Sequence, residues 1–370
     1  MSISARQWLD RIHALPLSGK VRIMNVCGGH ERSISMAGLR GALPREVELI
    51  PGPGCPVCVC PEEDVYQAIQ LALHEPVTLA AFGDMLRVPV NVPKSAVRSL
   101  EQARAAGADV RPIASPLDAV RLAKAQPQRA LVFFAAGFET TTAPVAAMLA
   151  EGAPRNLSVL LSGRLTWPAV ATLLASDKPG FDALIAPGHV STVMGPEEWS
   201  FVVERHGLPA AIAGFTPESL LAAMYSTLRQ LVESRRLLDN CYPEVVKPGG
   251  NPTARRHLEQ VMEVVDAPWR GIGVIPRSGF ALRARYAEHD ARQRFPSYET
   301  SSRKRAGQMP PGCDCARVVL GRIYPDECVL YGRACTPRKP IGPCMVSDEG
   351  ACRIWWSSGV RERAASAAEL

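Results

Sequence analysis

The sequence predicts an α/β fold: two similar domains built on mainly parallel sheets, followed by a small cysteine-rich unit. Three observations carry this. An apolar run, a glycine-containing loop and a helical spacing recur in that order along most of the chain. The apolar runs are continuous rather than alternating, as strands covered by helices on both faces must be. The tail is rich in Cys, Pro and Gly and poor in periodicity, so it cannot build a core from apolar residues alone.

Taken in order, residues 5–15 read as an amphipathic helix with Trp8, Leu9, Ile12 and Leu15 on one face. VRIMNV then leads to CGGH (27–30), and VELI to PGPGCPVC (51–58). VTLAAF leads to GDMLR (83–87), RALVFFAA to GFETTT (137–142), and LSVLLS to GRLT (163–166). FDALIA leads to PGHVST (187–192), and LPAAIA to GFTPES (214–219). The likeness of VTLAAFGD to LVFFAAGFE hints at two related domains. Residues 218–239 read as one long helix, 253–265 as another, and 269–283 as strand-like with Gly and Pro interruptions. Residues 296–312 are polar and read as a linker or exposed arm. The expected division is an N-terminal helix (1–19), a first α/β domain with the thiol loops (20–126), a second (127–225), and a third domain (226–370) ending in the cysteine-rich block.

Composition narrows the function. A chain of 370 residues holds two or three domains. Its 42 basic and 36 acidic residues give a net charge of +6, scattered rather than clustered, which argues against a nucleic-acid partner. No segment approaches the roughly 18 apolar residues of a transmembrane helix. The first twenty residues lack the apolar core of a secretory signal. A cytoplasmic protein with no membrane partner is expected.

In a reducing compartment, eleven cysteines read as metal ligands or redox groups before structural disulfides. Cys27, Cys55, Cys58 and Cys60 lie near the start. Cys313, Cys315, Cys328, Cys335, Cys344 and Cys352 lie near the end, and Cys241 stands alone. The terminal six are spaced C-x-C-x12-C-x6-C-x8-C-x7-C. Soft thiolates suit iron–sulfur or zinc. The paired C-x2-C knuckles of structural zinc are missing, and the winding spacing favours a cubane, which needs four ligands and leaves a pair that could be redox-active. Disulfides are the third alternative.

PGPGCPVCVCP (51–61) combines Pro, which fixes φ, with Gly, which frees it, so it is a loop of specified shape. Its C-x-x-C lies ahead of a helix, where thiol pKa values fall. Glu62, Glu63 and Asp64 in the first turn oppose that fall, and Cys60 reads as a bystander. Ligands gather at the carboxyl ends of parallel strands, where Cys27, His30, Cys55, Cys58, Asp84, Glu139, His189 and Ser191 all fall. Taken singly, His30 and His189 are more often hydrogen-bonded loop residues, and Asp84 and Glu139 more often cap or loop carboxylates, than catalytic groups.

Taken together, VCGGH (26–30), GPGCPVCV (52–59), FGDMLRVP (82–89), FETT (138–141), APGHVS (186–191), WRGIGVIP (269–276) and CTPRKPIGPCMVSDEGACRIWW (335–356) resemble the HypD family of hydrogenase maturation factors. The resemblance spans nearly the whole chain. It implies two similar α/β domains, a third domain with a [4Fe-4S] cluster, and a scaffold for building the Fe(CN)2CO group of [NiFe] hydrogenases. The implied partners are a HypC-type chaperone and a HypE-type cyanide donor with a HypF-type protein upstream. Carried over by motif, Cys27 holds the transient iron, Cys55 and Cys58 form a redox pair, and His30 and Glu139 line the same cleft. The expected cluster ligands are Cys315, Cys328, Cys335 and Cys352, with Cys313 and Cys344 as accessory thiols. An iron–sulfur thiol–disulfide oxidoreductase acting on a protein substrate is the alternative. The chain departs from the family at Glu31-Arg32, where Thr-His is usual, at VNVPKSAV after RVP, at GFTP, and at NCYPEVV.

Overall fold

The computed structural model describes residues 3–176, 179–298 and 309–360. Two all-parallel sheets form its frame. The first runs β2-β1-β7-β8-β9, from β1 (Val21–Asn25), β2 (Val47–Pro51), β7 (Ala183–Pro187), β8 (Ala210–Ala213) and β9 (Leu238–Asn240). The second runs β4-β3-β5-β6, from β3 (Val77–Phe82), β4 (Val110–Ile113), β5 (Ala130–Gly137) and β6 (Leu157–Gly163). A two-stranded antiparallel ribbon, β10 (Met262–Trp269) with β11 (Gly273–Leu282), follows, with a register shift between Val265 and Ala267.

The seven apolar runs are strands β1, β2, β3, β5, β6, β7 and β8. β6, β7 and β8 are buried along their length and β5 from Leu131 onward, because helices cover both faces. On β5, Phe134 points into the core shared with the thiol loop and Phe133 into the opposite core. This is the two-residue alternation of a strand acting between two apolar layers.

The sheets do not follow the chain in two successive blocks. The chain leaves the first sheet after β2, builds the whole second sheet, and returns with β7. A boundary at 126/127 therefore falls inside the second sheet, where β5 pairs with β3 (Val77 opposite Ala130). The strand–loop–helix repeat is uniform along the chain and carries no mark of which sheet a strand joins.

Two helices are shorter than their spacing suggests. The long one covers Pro217–Val232 and stops before Ser234, which takes a left-handed φ of 52°. The helix from Pro252 ends at Val261. Val264 and Val265, β-branched, then join β10 rather than extending the helix.

The C-terminal block packs against the same core as the thiol loop. Cys315, Val318, Cys335, Cys344, Met345 and Cys352 share a buried cluster with Cys55, Cys58 and Phe134. Polar contacts fasten it. Arg87 donates to Pro337 O at 2.6 Å, Ser347 Oγ to Asp84 Oδ2 at 3.2 Å, and Trp355 Nε1 to Glu31 Oε1 at 2.8 Å. Glu31 is also gripped by both oxygens from Arg40 at 2.7 Å, and Arg40 lies over the Trp355 ring. The departure at Glu31 thus anchors the tail helix. No helix among the described residues is long and apolar enough to cross a membrane.

Candidate functional site

Strands β1 and β2 are hydrogen-bonded neighbours in parallel register, with Asn25 opposite Pro51. Their carboxyl-end loops therefore emerge side by side. The loops stay together because Gly52 N donates to Asn25 O at 2.8 Å and Gly28 N to Gly54 O at 3.1 Å. Gly54 must be glycine, since a Cβ there would lie 2.5 Å from Cys27 Cα and N.

Cys27 stands at the N-cap of the helix Gly28–Met36; its sulfur makes no capping hydrogen bond, and the backbone N–H groups of Gly29 and His30 at the helix start act on it only by pulling the thiol pKa down. Those donors favour the thiolate. Burial wins over them and, with the nearby charge of Glu349, pushes the thiol up to about 12. Cys55 caps the four-residue helix Pro56–Val59, is joined to Cys58 by a disulfide, and accepts from Cys58 N at 3.1 Å.

The tail closes over these groups. Cys27 and Cys55 share a crevice of about 10 Å³ with Asn25, Cys344 and Glu349, the size of roughly one water. Burial and the neighbouring Asp84 raise Glu349 to about 7. Asp84 is raised by its own burial against the hydrogen bond from Ser347. Cys344 and Glu349 are crevice residues that sequence reasoning did not place here. The acidic SDEG beside Cys352 was the available signal for Glu349.

His30 and Glu139 do not line this crevice. The His30 ring turns inward, with Nδ1 3.1 Å from Asn25 Oδ1 and Nε2 3.0 Å from Ala213 O. Burial drops its pKa to about 3, and His189, stacked on Phe215 as His30 also packs against it, adds to the fall. Glu139 lies at the carboxyl ends of β5 and β6. It accepts from Thr166 N at 2.6 Å and Thr166 Oγ1 at 2.7 Å, and burial raises it to about 7. Cys60 stands apart against Ser162 Oγ at 3.4 Å, with burial lifting its thiol to about 12. Two of the three first-turn acids are paired with arginines. Glu62 pairs with Arg270 at 3.2 Å and Asp64 with Arg292 at 2.7 Å. Cys241, half-buried, donates to Asp239 Oδ2 at 3.7 Å.

The six tail thiols form one neighbourhood. Cys313 Sγ lies 3.4 Å from Cys315 Sγ, and both are felt by Cys328 and Cys335. Cys344 engages Cys315 and Cys352, and accepts from Cys352 N at 3.4 Å. Sharing protons with those two holds Cys344 below and Cys352 above the usual thiol range. The accessory pair expected at Cys313 and Cys344 is therefore not a contacting pair; each is in contact with Cys315. Gly342 leaves them room, since a Cβ there would lie 2.6 Å from Cys313 Sγ. Among the described residues, no three His, Cys, Asp or Glu side chains converge on a point as a single metal ion requires.

Fold and site define an α/β protein with a thiol-walled crevice between strand-end loops and a cysteine-rich tail. The family profile described as "HypD: Hydrogenase formation hypA family" matches residues 4–359. The chain is 40% identical to a hydrogenase maturation factor HypD from Azotobacter vinelandii, over 98% of this chain and 96% of that one. It is also 40% identical to a HypD from Rhodobacter capsulatus (92% and 89%) and to HypD2 from Bradyrhizobium diazoefficiens (91% and 89%). The chain belongs to the HypD family, and its role lies in hydrogenase maturation.

Proposed function

We propose that this protein is the cytoplasmic scaffold and redox partner on which the Fe(CN)2CO group is assembled, together with a HypC-type chaperone and a HypE-type cyanide donor supplied by a HypF-type protein. The observation that carries this is the meeting of Cys27, the Cys55–Cys58 disulfide and Cys344 on one crevice. Cys27 is the thiolate for the iron substrate, because a soft sulfur suits low-spin iron carrying cyanide and CO. The backbone N–H groups at the start of the helix that follows favour the sulfur once it is ionised. The crevice has room for one water, so the tail must draw back for cargo to enter. Exchange with an external dithiol, which leaves as its own disulfide, would reduce Cys55–Cys58 to two thiols beside Cys27.

The tail thiols fit a [4Fe-4S] cluster. All the donors are sulfur, and a cubane binds each thiolate through a different iron, so they need not converge on one point. Cys313, Cys328 and Cys335 are the proposed ligands, with the fourth from whichever of Cys315 and Cys352 is not paired with Cys344. When bound, such a cluster supplies one-electron redox capacity.

Infrared spectra of the protein purified with its HypC-type partner test this reading. Cyanide and CO stretches are expected, and Cys27→Ala should abolish them. Spectra without those bands, alongside disulfide exchange with a protein substrate, would favour the thiol–disulfide oxidoreductase, which the Cys55–Cys58 disulfide also supports.

A further inference from the structure

A second cavity shares no residue with the crevice. It opens between the β10–β11 ribbon, the carboxyl end of β6 and the helix Glu62–His74. Its volume is about 490 Å³, within the range of small-molecule sites. The carboxyl ends of parallel strands are also where ligands gather.

The inner end holds a fixed donor. Asp64, Gln67 and Arg164 line it and are buried, Gln67 completely. Arg292 Nη2 donates to Asp64 Oδ1 at 2.7 Å, and Arg292 Nη1 to Gln67 Oε1 at 2.7 Å. The second bond fixes which end of the amide is oxygen, so Gln67 Nε2 is a donor. Nε2 has no acceptor among the described residues, and buried donors are rarely left unmet. Arg164 Nη2 lies 3.7 Å from Asp64 Oδ2. Two arginines thus face one carboxylate, and the inner end keeps an excess of positive charge.

The rim carries the opposite sign. Glu63 and Asp290 are half-buried there, and Asp266 is exposed. Both cavity arginines are engaged by Asp64, and none of the three rim acids is in an ion pair among the described residues. Between the two ends, Phe280 and Leu282 give an apolar wall. A ligand matched to this gradient places a carboxylate inside, an aliphatic stem along the wall and a cation at the mouth. A planar guanidinium suits the rim carboxylates better than an ammonium does.

We propose that this cavity binds a small zwitterion, a carboxylate and a guanidinium at opposite ends of an aliphatic stem. The carboxylate accepts from Gln67 Nε2, and the guanidinium meets Glu63, Asp266 and Asp290. No bond is made or broken, and the site stands apart from both the crevice chemistry and the tail cluster.

The experiment is calorimetric titration of the full-length chain with 4-guanidinobutanoate. Two relatives of that probe each lack one end: 4-ureidobutanoate is neutral where the guanidinium stands, and propylguanidine has no carboxylate. Saturable binding of 4-guanidinobutanoate at one site is expected, with both relatives about tenfold weaker. Glu63→Gln with Asp266→Asn removes rim charge at positions open to solvent, so folding is not at stake. This double variant should bind 4-guanidinobutanoate about tenfold more weakly and 4-ureidobutanoate as the wild type does. Gln67→Met should weaken 4-guanidinobutanoate several-fold; because Gln67 is buried, a thermal melt is read beside it, and the rim variant decides the matter if Gln67→Met does not fold. A wild-type chain that does not bind 4-guanidinobutanoate overturns the inference. So does a relative that binds as tightly, or a rim variant with unchanged affinity, which would put the binding elsewhere on the chain.

Discussion

Glu349 stands directly over Gly28: a Cβ built on Gly28 would lie 2.5 Å from Glu349 O and would also run into the Glu349 side chain. The tail therefore seats against the helix that Cys27 caps, and the absence of a side chain at residue 28 lets it close. Gly28→Ala should lift the tail off. Overpacking of this kind costs about 1–3 kcal/mol, read as a lower urea midpoint. Alkylation of Cys27 should rise at the same time. A variant that loses stability while Cys27 stays equally protected would show that the seat does not govern access to the crevice.

The carboxyl of Glu349 also acts on Cys27 electrostatically. Glu349 titrates at about 7, and its charge is one of the causes holding the Cys27 thiol near 12. Removing that charge lowers the thiol pKa and increases the thiolate fraction. Below pH 7 Glu349 is mostly neutral, so Glu349→Gln and wild type should react alike. Above pH 7 the variant should be alkylated at Cys27 several-fold faster. Mass-spectrometric alkylation rates from pH 6 to 9 check this, and parallel profiles across that range would refute it.

These two residues also mark where the sequence stops being legible. The seven strands are readable because each is a continuous apolar run. β4 and β9 are not, being four and three residues long at sheet edges, and β4 carries Pro112, which an edge tolerates. Sheet membership is hidden because β1 finds β7 across more than 150 residues, and nothing local encodes that pairing. Cys27 and Cys55 meet because the neighbouring parallel strands β1 and β2 end side by side. The same rule does not bring His30 and Glu139 to that crevice. It fixes where the backbone leaves the sheet but not which way a side chain turns, and both turn inward to buried partners. Cys344 and Glu349 reach the crevice only because Met345, Val346 and Ala351 pack into a shared core, a contact without periodicity.

Glu139 gives the fold a pH dependence of its own. Its pKa in the folded chain, about 7, lies above the ordinary 4.5. Between those values the folded state holds a proton that the unfolded state has released. Stability from this group is full below pH 4.5 and is lost as pH rises toward 7, by up to about 1.4 kcal/mol per unit. Glu139→Gln retains an acceptor for Thr166 N and cannot ionise. Its urea-derived stability should therefore fall less than wild type between pH 4.5 and 7. Equal slopes for the two proteins would mean that the carboxyl is not kept neutral by its burial.

Within the tail, the geometry separates one thiol from the others. Cys344 faces Cys27 and Cys55 across the crevice, whereas Cys328 and Cys335 are grouped with Cys313 and Cys315. A thiol committed to the crevice is replaceable in a cluster site; a ligand is not. After reconstitution, Cys344→Ser should keep the iron and acid-labile sulfide of the wild type, while Cys328→Ser and Cys335→Ser should lose most of both. Because Cys344 is buried against Cys315 and Cys352, its loss can disturb packing. Iron content is therefore read beside a thermal melt. Cys344→Ser that melts like wild type yet loses its iron would make Cys344 a ligand and return one of the other five thiols to the redox pair.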